Sequence, residues 1–304
     1  MRYAWMLAHA LEYSIRILCC VLKVSLSGYY AWKRRKPSGQ QMRRELLSNS
    51  IVEFHAASKG AYGYRKIHED IVESFKNSCC LETVRRIMKD KGLRSTRGRK
   101  FVITTDSNHT IPVTENILDR NFEADAPNQK WVADITYIPT HQGWMYLATV
   151  MDLYARRIVG WATSKHIDTT LISEAQLHKA TKERQPGEGL VHHSDRGSQY
   201  ASKAYRKTLN LFKMKYSMSR KGNCWDNAPM ERFFSSLKSE WLRDKIFPTH
   251  EAATSAIFQY IETFYNPKRR HAALGYQSPI QYENNMKRQQ TLAAYFLGSS
   301  VHYG

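Results

Sequence analysis

The sequence of 304 residues has no uncharged run long enough to cross a bilayer. The longest, Ile135 to Met151, is 17 residues and carries Thr, Tyr, Pro, His, Gln and Gly, which argues against a spanning helix. A leader is not evident either: Glu12 and Arg16 interrupt the N-terminal apolar stretch, and no small-residue cleavage pattern precedes Cys19. The five cysteines fall as two adjacent pairs, Cys19/Cys20 and Cys79/Cys80, plus Cys224. That spacing excludes CxxC zinc sites and an even secreted framework, and it suits buried thiols in a reducing cytoplasm. No G-x-x-x-x-G-K-[ST] loop is present, so nucleotide hydrolysis on a P-loop is not expected. Acid is also in deficit, with 27 Asp+Glu against 46 Lys+Arg and a net charge of +19.

Such an excess calls for a polyanion, because each phosphate neutralised releases condensed counterions. A hydrophobic share of 42% with 12% aromatics supplies real cores and excludes a disordered basic tail. The charge is uneven. Residues 1–110 hold 21 basic and 9 acidic groups (+12), and residues 111–304 hold 25 and 18 (+7).

Periodicity divides the chain into five parts. Residues 1–40 read as a helix from about Leu11 to Lys23, a break at VSLSG and a second short segment, YYAWKRRK, that includes Arg34 and Arg35. This is a helix-turn-helix-like pattern, with a plain helical hairpin as its equal. Residues 41–100 read as a second helical DNA-binding unit: helices from Arg44 to Ala57 and Lys66 to Phe75, then LETVRRIMKDKG. In that last helix Val84, Ile87 and Met88 form an apolar stripe, Arg85, Arg86 and Lys89 point away toward phosphates, and Gly92 ends the helix. Residues 101–125 read as a linker around one short strand. In 126–246 the period changes to two and then alternates: strands at 130–140, 144–154 and 156–164, a helix at 169–182, a strand at 190–195, a helix at 203–211, a strand at 213–217 and a helix from Pro229 to Lys245. That order describes an α/β layer with the first strand central. Residues 247–304 read as a helical extension whose end, TLAAYFLGSSVHYG, suits a packing helix or a tail.

Three acids stand out. Asp134 interrupts an apolar strand, Asp195 ends the strand LVHHSD where open α/β sheets place ligands, and Glu231 lies in the first turn of the helix after Pro229. A carboxylate in a strand interior needs a cation or a metal to offset its desolvation. On the last helix Glu231, Ser235 and Lys238 recur on one face, apart from the stripe of Phe234, Leu237 and Trp241. Among the neighbours, Asp152 reads as an ion pair with Arg156 or Arg157, Asp226 with Asn227 as an N-cap, and Gly197 and Ser198 as a turn and cap. His192 or His193 lies close to the site without binding zinc, and Trp225 is either core or a stacking contact, with core favoured.

With VADITYI, HHSDRGSQY and NAPMERFFSSLK in these places, and 35 residues between Asp195 and Glu231, the chain resembles the OrfB-type transposases of the insertion sequence three family. CVLKVSLSGYYAWKRR, GAYGYRKIHEDI, MDLYARRIVGW, GNCWDNAPMERFFSSLKSEW and YNPKRRHAALGYQSP extend the resemblance over about residues 15–285. It implies a ribonuclease H-like, integrase-type core with a mixed five-stranded sheet and flanking helices, preceded by a helix-turn-helix-type DNA-binding region. It further implies an Asp134, Asp195, Glu231 triad holding two Mg²⁺ ions, with Mn²⁺ as a substitute. Asp134 would bridge both ions, and Asp195 and Glu231 would hold one each, the arrangement that suits in-line displacement at phosphorus. The implied partners are element-end and target DNA, contacted by Lys238, Arg85, Arg86, Lys89, Arg34 and Arg35, a second copy of the chain, and an upstream OrfA-type fusion partner, since Met1 stands near the OrfB start. No membrane partner is expected, and the expected location is the cytoplasm at the nucleoid. The rival readings are a ribonuclease H-like nuclease without strand transfer and a non-enzymatic DNA-binding regulator.

Overall fold

A computed structural model describes residues 1–75, 79–96, 114–168, 170–220, 224–243 and 245–299. Much of the expected linker, the turn at Asn77 and Ser78, and the last five residues lie outside that set. The chain forms two compact units, Met1–Phe54 and His55–Gly304.

The first unit holds helices α1 (Arg2–Ala8), α2 (Ile15–Leu22) and α3 (Leu26–Arg34) and most of α4 (Gly39–Ala57). The helix expected from Leu11 begins at Ile15, because Ser14 is extended; its inner face is then Ile15, Leu18, Cys19 and Leu22, a regular i, i+3, i+4, i+7 stripe. Helix α3 starts inside the expected break. Lys23 turns the chain in the left-handed region (φ 50°), and Ser25 Oγ accepts from the Gly28 amide at 3.0 Å as an N-cap. A Cβ at residue 28, in the first turn of α3, would displace the Tyr3 hydroxyl and the Ser25 Oγ that caps the helix. Met6, Leu18, Cys19 and Tyr29 are buried together, with Tyr3 and Trp32 packed around them. Arg34 and Arg35 are exposed at the end of α3.

In the second unit α5 (Tyr64–Phe75) packs on α6 (Leu81–Asp90), which buries Val84, Ile87 and Met88 as its periodicity predicts. Gly92, one residue beyond the cap at Lys91, takes φ 68°, and Leu93 donates back to the Met88 carbonyl at 2.8 Å, which closes the helix end. Five strands follow: β1 (Lys130–Thr140), β2 (Gly143–Asp152), β3 (Arg157–Ser164), β4 (Val191–Ser194) and β5 (Lys215–Met218). They form one mixed sheet in the order β3-β2-β1-β4-β5, with β1 central as expected. The first three pair antiparallel, and β4 and β5 run parallel to β1 and to each other.

Helices α7 (Lys179–Arg184) and α8 (Lys203–Leu211) supply the connections between parallel strands. Trp131, Ala133, Ala148, Val150, Leu177 and Tyr205 belong to the core. A π-helical stretch, Leu171–His178, leads into α7. Helix α9 (Ala228–Ser236) passes into a second, Leu237–Leu242, and α10 (His250–Phe258) into a third, Gln259–Tyr265. The chain then forms α11 (Pro279–Ser299), so the end read as a helix or a tail is helical through Ser299. Among the described residues no single helix is long and apolar enough to cross a membrane.

Asp152 is an ion-pair residue, though with a different partner from the one expected. Its buried carboxylate meets Arg184 Nη2 at 2.9 Å and accepts from the amides of Asn128 and Tyr154. Arg157 turns instead to Glu283, which Arg184 also holds at 2.8 Å, so α7 links the sheet to α11. The sequence could not indicate a partner 32 residues away. Replacing Arg184 with Met would leave Asp152 buried without its cation. In urea unfolding, Arg184→Met is expected to lose about 3–5 kcal/mol, and a loss below about 1 kcal/mol would mean the pair is dispensable.

Candidate active site

The geometry converges on Ala133, a buried residue of the central strand. On one side it is the Cα partner of Ser194, the last parallel pair between β1 and β4. One residue further along each chain stand Asp134 and Asp195, so two parallel strands deliver two carboxylates to one level of the sheet. On the other side the Ala133 carbonyl accepts from Asn227 Nδ2 at 3.2 Å. Asn227 is the N-cap residue of α9, and Glu231, four residues on, lies on the same face of the helix. Three sequence segments far apart are thus tied to one strand residue.

Local bonds orient the acids. Asp134 Oδ1 accepts from the Ile135 amide at 2.8 Å. Asp195 Oδ1 accepts from the Gly197 amide at 3.0 Å in a turn where a Cβ at residue 197 would stand 3.1 Å from that same oxygen. Glycine therefore lets the loop close on the carboxylate. Arg196 Nε donates to the Ser219 carbonyl at 2.7 Å and fastens this loop to the end of β5. The helix that follows is capped by Ser202 and not by Ser198.

Electrostatically the site is short of positive charge. Asp134 is held well above the usual carboxylate range, first by desolvation, then by Asp195 and, less strongly, by Glu231. Lys238 acts in the opposite direction. Glu231, half-buried, is raised by desolvation. Among the described residues no three His, Cys, Asp or Glu side chains already form a closed metal-binding cluster. The pair on the sheet and the glutamate on the helix are neighbours that have not drawn together.

Lys238 lies in the π-helical stretch, beyond the regular α9 turns that the +7 spacing assumed. Its ammonium sits 4.8 Å above the Tyr137 ring, beside a cleft of about 230 Å³ that Trp144 and Lys245 also line. Sequence reasoning missed this aromatic and basic cleft; the exposed Trp144 at the start of β2, across from a lysine-bearing helix, was its only signal. Trp225, expected in the core, is 67% exposed in the turn before α9.

The other neighbours are structural. Asp226 does not cap the helix. Its oxygens receive Asn116, Arg120 and the Arg220 amide at 2.9–3.0 Å, which tie the segment before β1 to the loop before α9. These bonds hold its carboxyl below the usual range against the cost of burial. Both histidines are core groups bonded to hydroxyls: His193 to Ser217 and Ser219, and His192 to Tyr205. Burial depresses them to about 4 and about 3 respectively. On α6, Arg85, Arg86 and Lys89 are exposed as expected, but Glu82 already engages Arg85 at 2.8 Å and Arg86 at 3.3 Å.

Comparison with known proteins agrees with this architecture. Models of the integrase core domain match residues 124–224 and 213–279, and an HTH-like domain model matches residues 42–101. The chain is 42% identical over 267 residues to the insertion element IS600 uncharacterized 31 kDa protein of Shigella sonnei, covering 87% of this chain and 97% of that one. It is 37% identical over 287 residues to transposase InsF for insertion sequence IS3A of Escherichia coli (strain K12), covering 93% and 99%. Among solved structures, the simian T-cell lymphotropic virus intasome in complex with a PP2A regulatory subunit aligns with a TM-score of 0.45 at 15% identity, over 77% of this chain and 74% of that one. With near-complete coverage of a transposase at this identity, the chain belongs to the IS3 family of insertion-sequence transposases.

Proposed function

We propose that Asp134, Asp195 and Glu231 are the catalytic carboxylates with which this transposase cuts and joins DNA strands. The observation that carries the reading is the Ala133 junction, where one strand residue aligns β4 with β1 and receives the clamp from Asn227 at the start of α9. The donor set is all carboxylate, and Asp195 and Glu231 both raise the proton affinity of buried Asp134, which therefore favours a cation beside it. That chemistry fits Mg²⁺, with Mn²⁺ as a substitute and two ions as the working number. Such ions, when bound, would activate the attacking oxygen and stabilise the leaving one in an in-line displacement at phosphorus.

The protein's own groups do the positioning. Asp134 and Asp195 supply oxygens from the sheet, and Glu231 supplies them from the first turn of α9. Lys238, carried on the Tyr137 ring, meets a phosphate of the same strand, and exposed Trp225 offers a stacking surface. Water first attacks a phosphodiester phosphorus and releases the 3′-oxygen as a 3′-hydroxyl, and that hydroxyl then attacks the phosphorus of a second phosphodiester, forming a new P–O bond as the 3′-oxygen of that strand leaves. Arg34, Arg35, Arg85, Arg86 and Lys89 contact duplex phosphates, the α6 pair by exchanging Glu82 for DNA. The five-part division of the chain, action as a multimer on DNA, an upstream OrfA-type partner and residence at the nucleoid belong to the same reading.

Two measurements test it. With labelled element-end DNA and Mg²⁺, Glu231→Gln is expected to lower strand joining by about 10³-fold or more; equal yields from parent and variant would remove Glu231 from the mechanism. The second reads stability alone, in EDTA. A carboxyl whose folded proton affinity is raised costs nothing below its unfolded pKa, where both states are protonated, and its cost grows as pH rises through the folded value. Asp134→Asn is therefore expected to melt higher than the parent at pH 8, with the gain fading toward pH 4. Added Mg²⁺ should raise the melting point of the parent more than that of the variant. A variant less stable than the parent at pH 8 would contradict the cation demand.

A further inference from the structure

Three motif segments have no part in the carboxylate chemistry: GAYGYRK before and within α5, the ARR turn between β2 and β3, and NPKRRH after the third π-helical stretch. They meet in one cavity of about 410 Å³ in the second unit, against α9. Its lining includes Lys66, Arg156, Arg232, Arg269, Arg270 and His271, and no acidic residue.

Two of these cations are already neutralised. Arg269 is bound by both oxygens of Glu240 at 2.7 and 2.6 Å, and Arg270 by Asp70 at 2.6 Å and by Glu73. Lys66, Arg156 and Arg232 have no carboxylate within ion-pair distance among the described residues. Lys66 rests on the Tyr62 ring at 4.8 Å, and Arg156 is held in the left-handed region at φ 56°. The repulsion registers in proton affinity. Burial and Arg269 pull Lys66 down to about 8 against the opposing effect of Glu240 and Asp70, burial and Arg232 lower Arg156, and burial with Arg269 holds His271 well below its usual value.

Partly buried like charges without a counterion are costly, so a cavity that gathers them favours an anion. Guanidinium forks match phosphate oxygens, and the volume suits a phosphate together with its sugar. We propose that this cavity binds a phosphate group of a DNA strand, at a site that shares helix α9 with the carboxylates but shares none of their residues. The assignment depends on the family's DNA chemistry and not on the roles given to Asp134, Asp195 and Glu231.

The test uses the full chain in EDTA, so no cleavage enters the result. The variant is Lys66→Gln/Arg232→Gln, which removes two cations that lack an acid partner. Without phosphate the variant should melt at or above the parent, because repulsion is relieved. Replacing chloride with inorganic phosphate at equal ionic strength should raise the melting point of the parent by several degrees and that of the variant by much less. Affinity for a single-stranded oligonucleotide should fall about tenfold in the variant. A preference of the parent for a 5′-phosphorylated over a 5′-hydroxyl oligonucleotide assigns the site to a strand end, and equal binding assigns it to an internal diester. A phosphate effect without any loss of oligonucleotide affinity would overturn the DNA assignment. A variant that melts well below the parent, or that responds to phosphate as the parent does, would make the cations structural.

Discussion

A carboxylate in the central strand of a sheet persists only where something offsets its desolvation, and here the nearest neighbours make the problem worse. Asp134 is crowded by Asp195 and, more weakly, by Glu231, with Lys238 as the moderating charge. The surroundings hold the acids in place despite this. The parallel pairing of β4 with β1 fixes Asp195, a glycine turn closes on its oxygen, and an asparagine amide ties the third segment to the carbonyl just before Asp134. Two carboxylates are thus held at one level of the sheet, with a third segment tied to the same strand.

Much of this was legible in advance because strong periodicity and topology carry it. The bounds expected for β1 and α8 coincide with those observed, and the alternation of elements was enough to make β1 central. Asp134 interrupts a strand and Asp195 ends one, whereas Glu231, ordinary by itself in the first turn of a helix, gained meaning only beside the other two. What could not be read was pairing at a distance. Asp226 looked like a helix cap, yet its partners Asn116 and Arg120 lie more than 100 residues earlier. Asp152 had arginines close in sequence but pairs with Arg184. Trp225 is exposed although its neighbour Asp226 is buried, and no local pattern reports that.

Charge acquires a finer meaning at this scale. The net of +19 is a sum over groups in different situations: exposed arginines on α6 that share Glu82, guanidiniums locked into acids at Glu240 and Asp70, and cations such as Lys66 and Arg232 with no carboxylate at ion-pair distance among the described residues. Only the last kind has its full charge available to DNA.

The helix that carries Glu231 changes winding at Leu237, where the bond from the Arg243 amide to the Lys238 carbonyl spans five residues instead of four. A π turn is an α turn with one residue added. Loss of one residue within Leu237–Leu242 could be absorbed by reverting to α winding, which keeps Arg243 and the chain beyond it in phase. The same loss between Asn227 and Glu231 would rotate the glutamate about 100° away from the sheet. Across the family, length variation should be tolerated on one side of Leu237 and forbidden on the other.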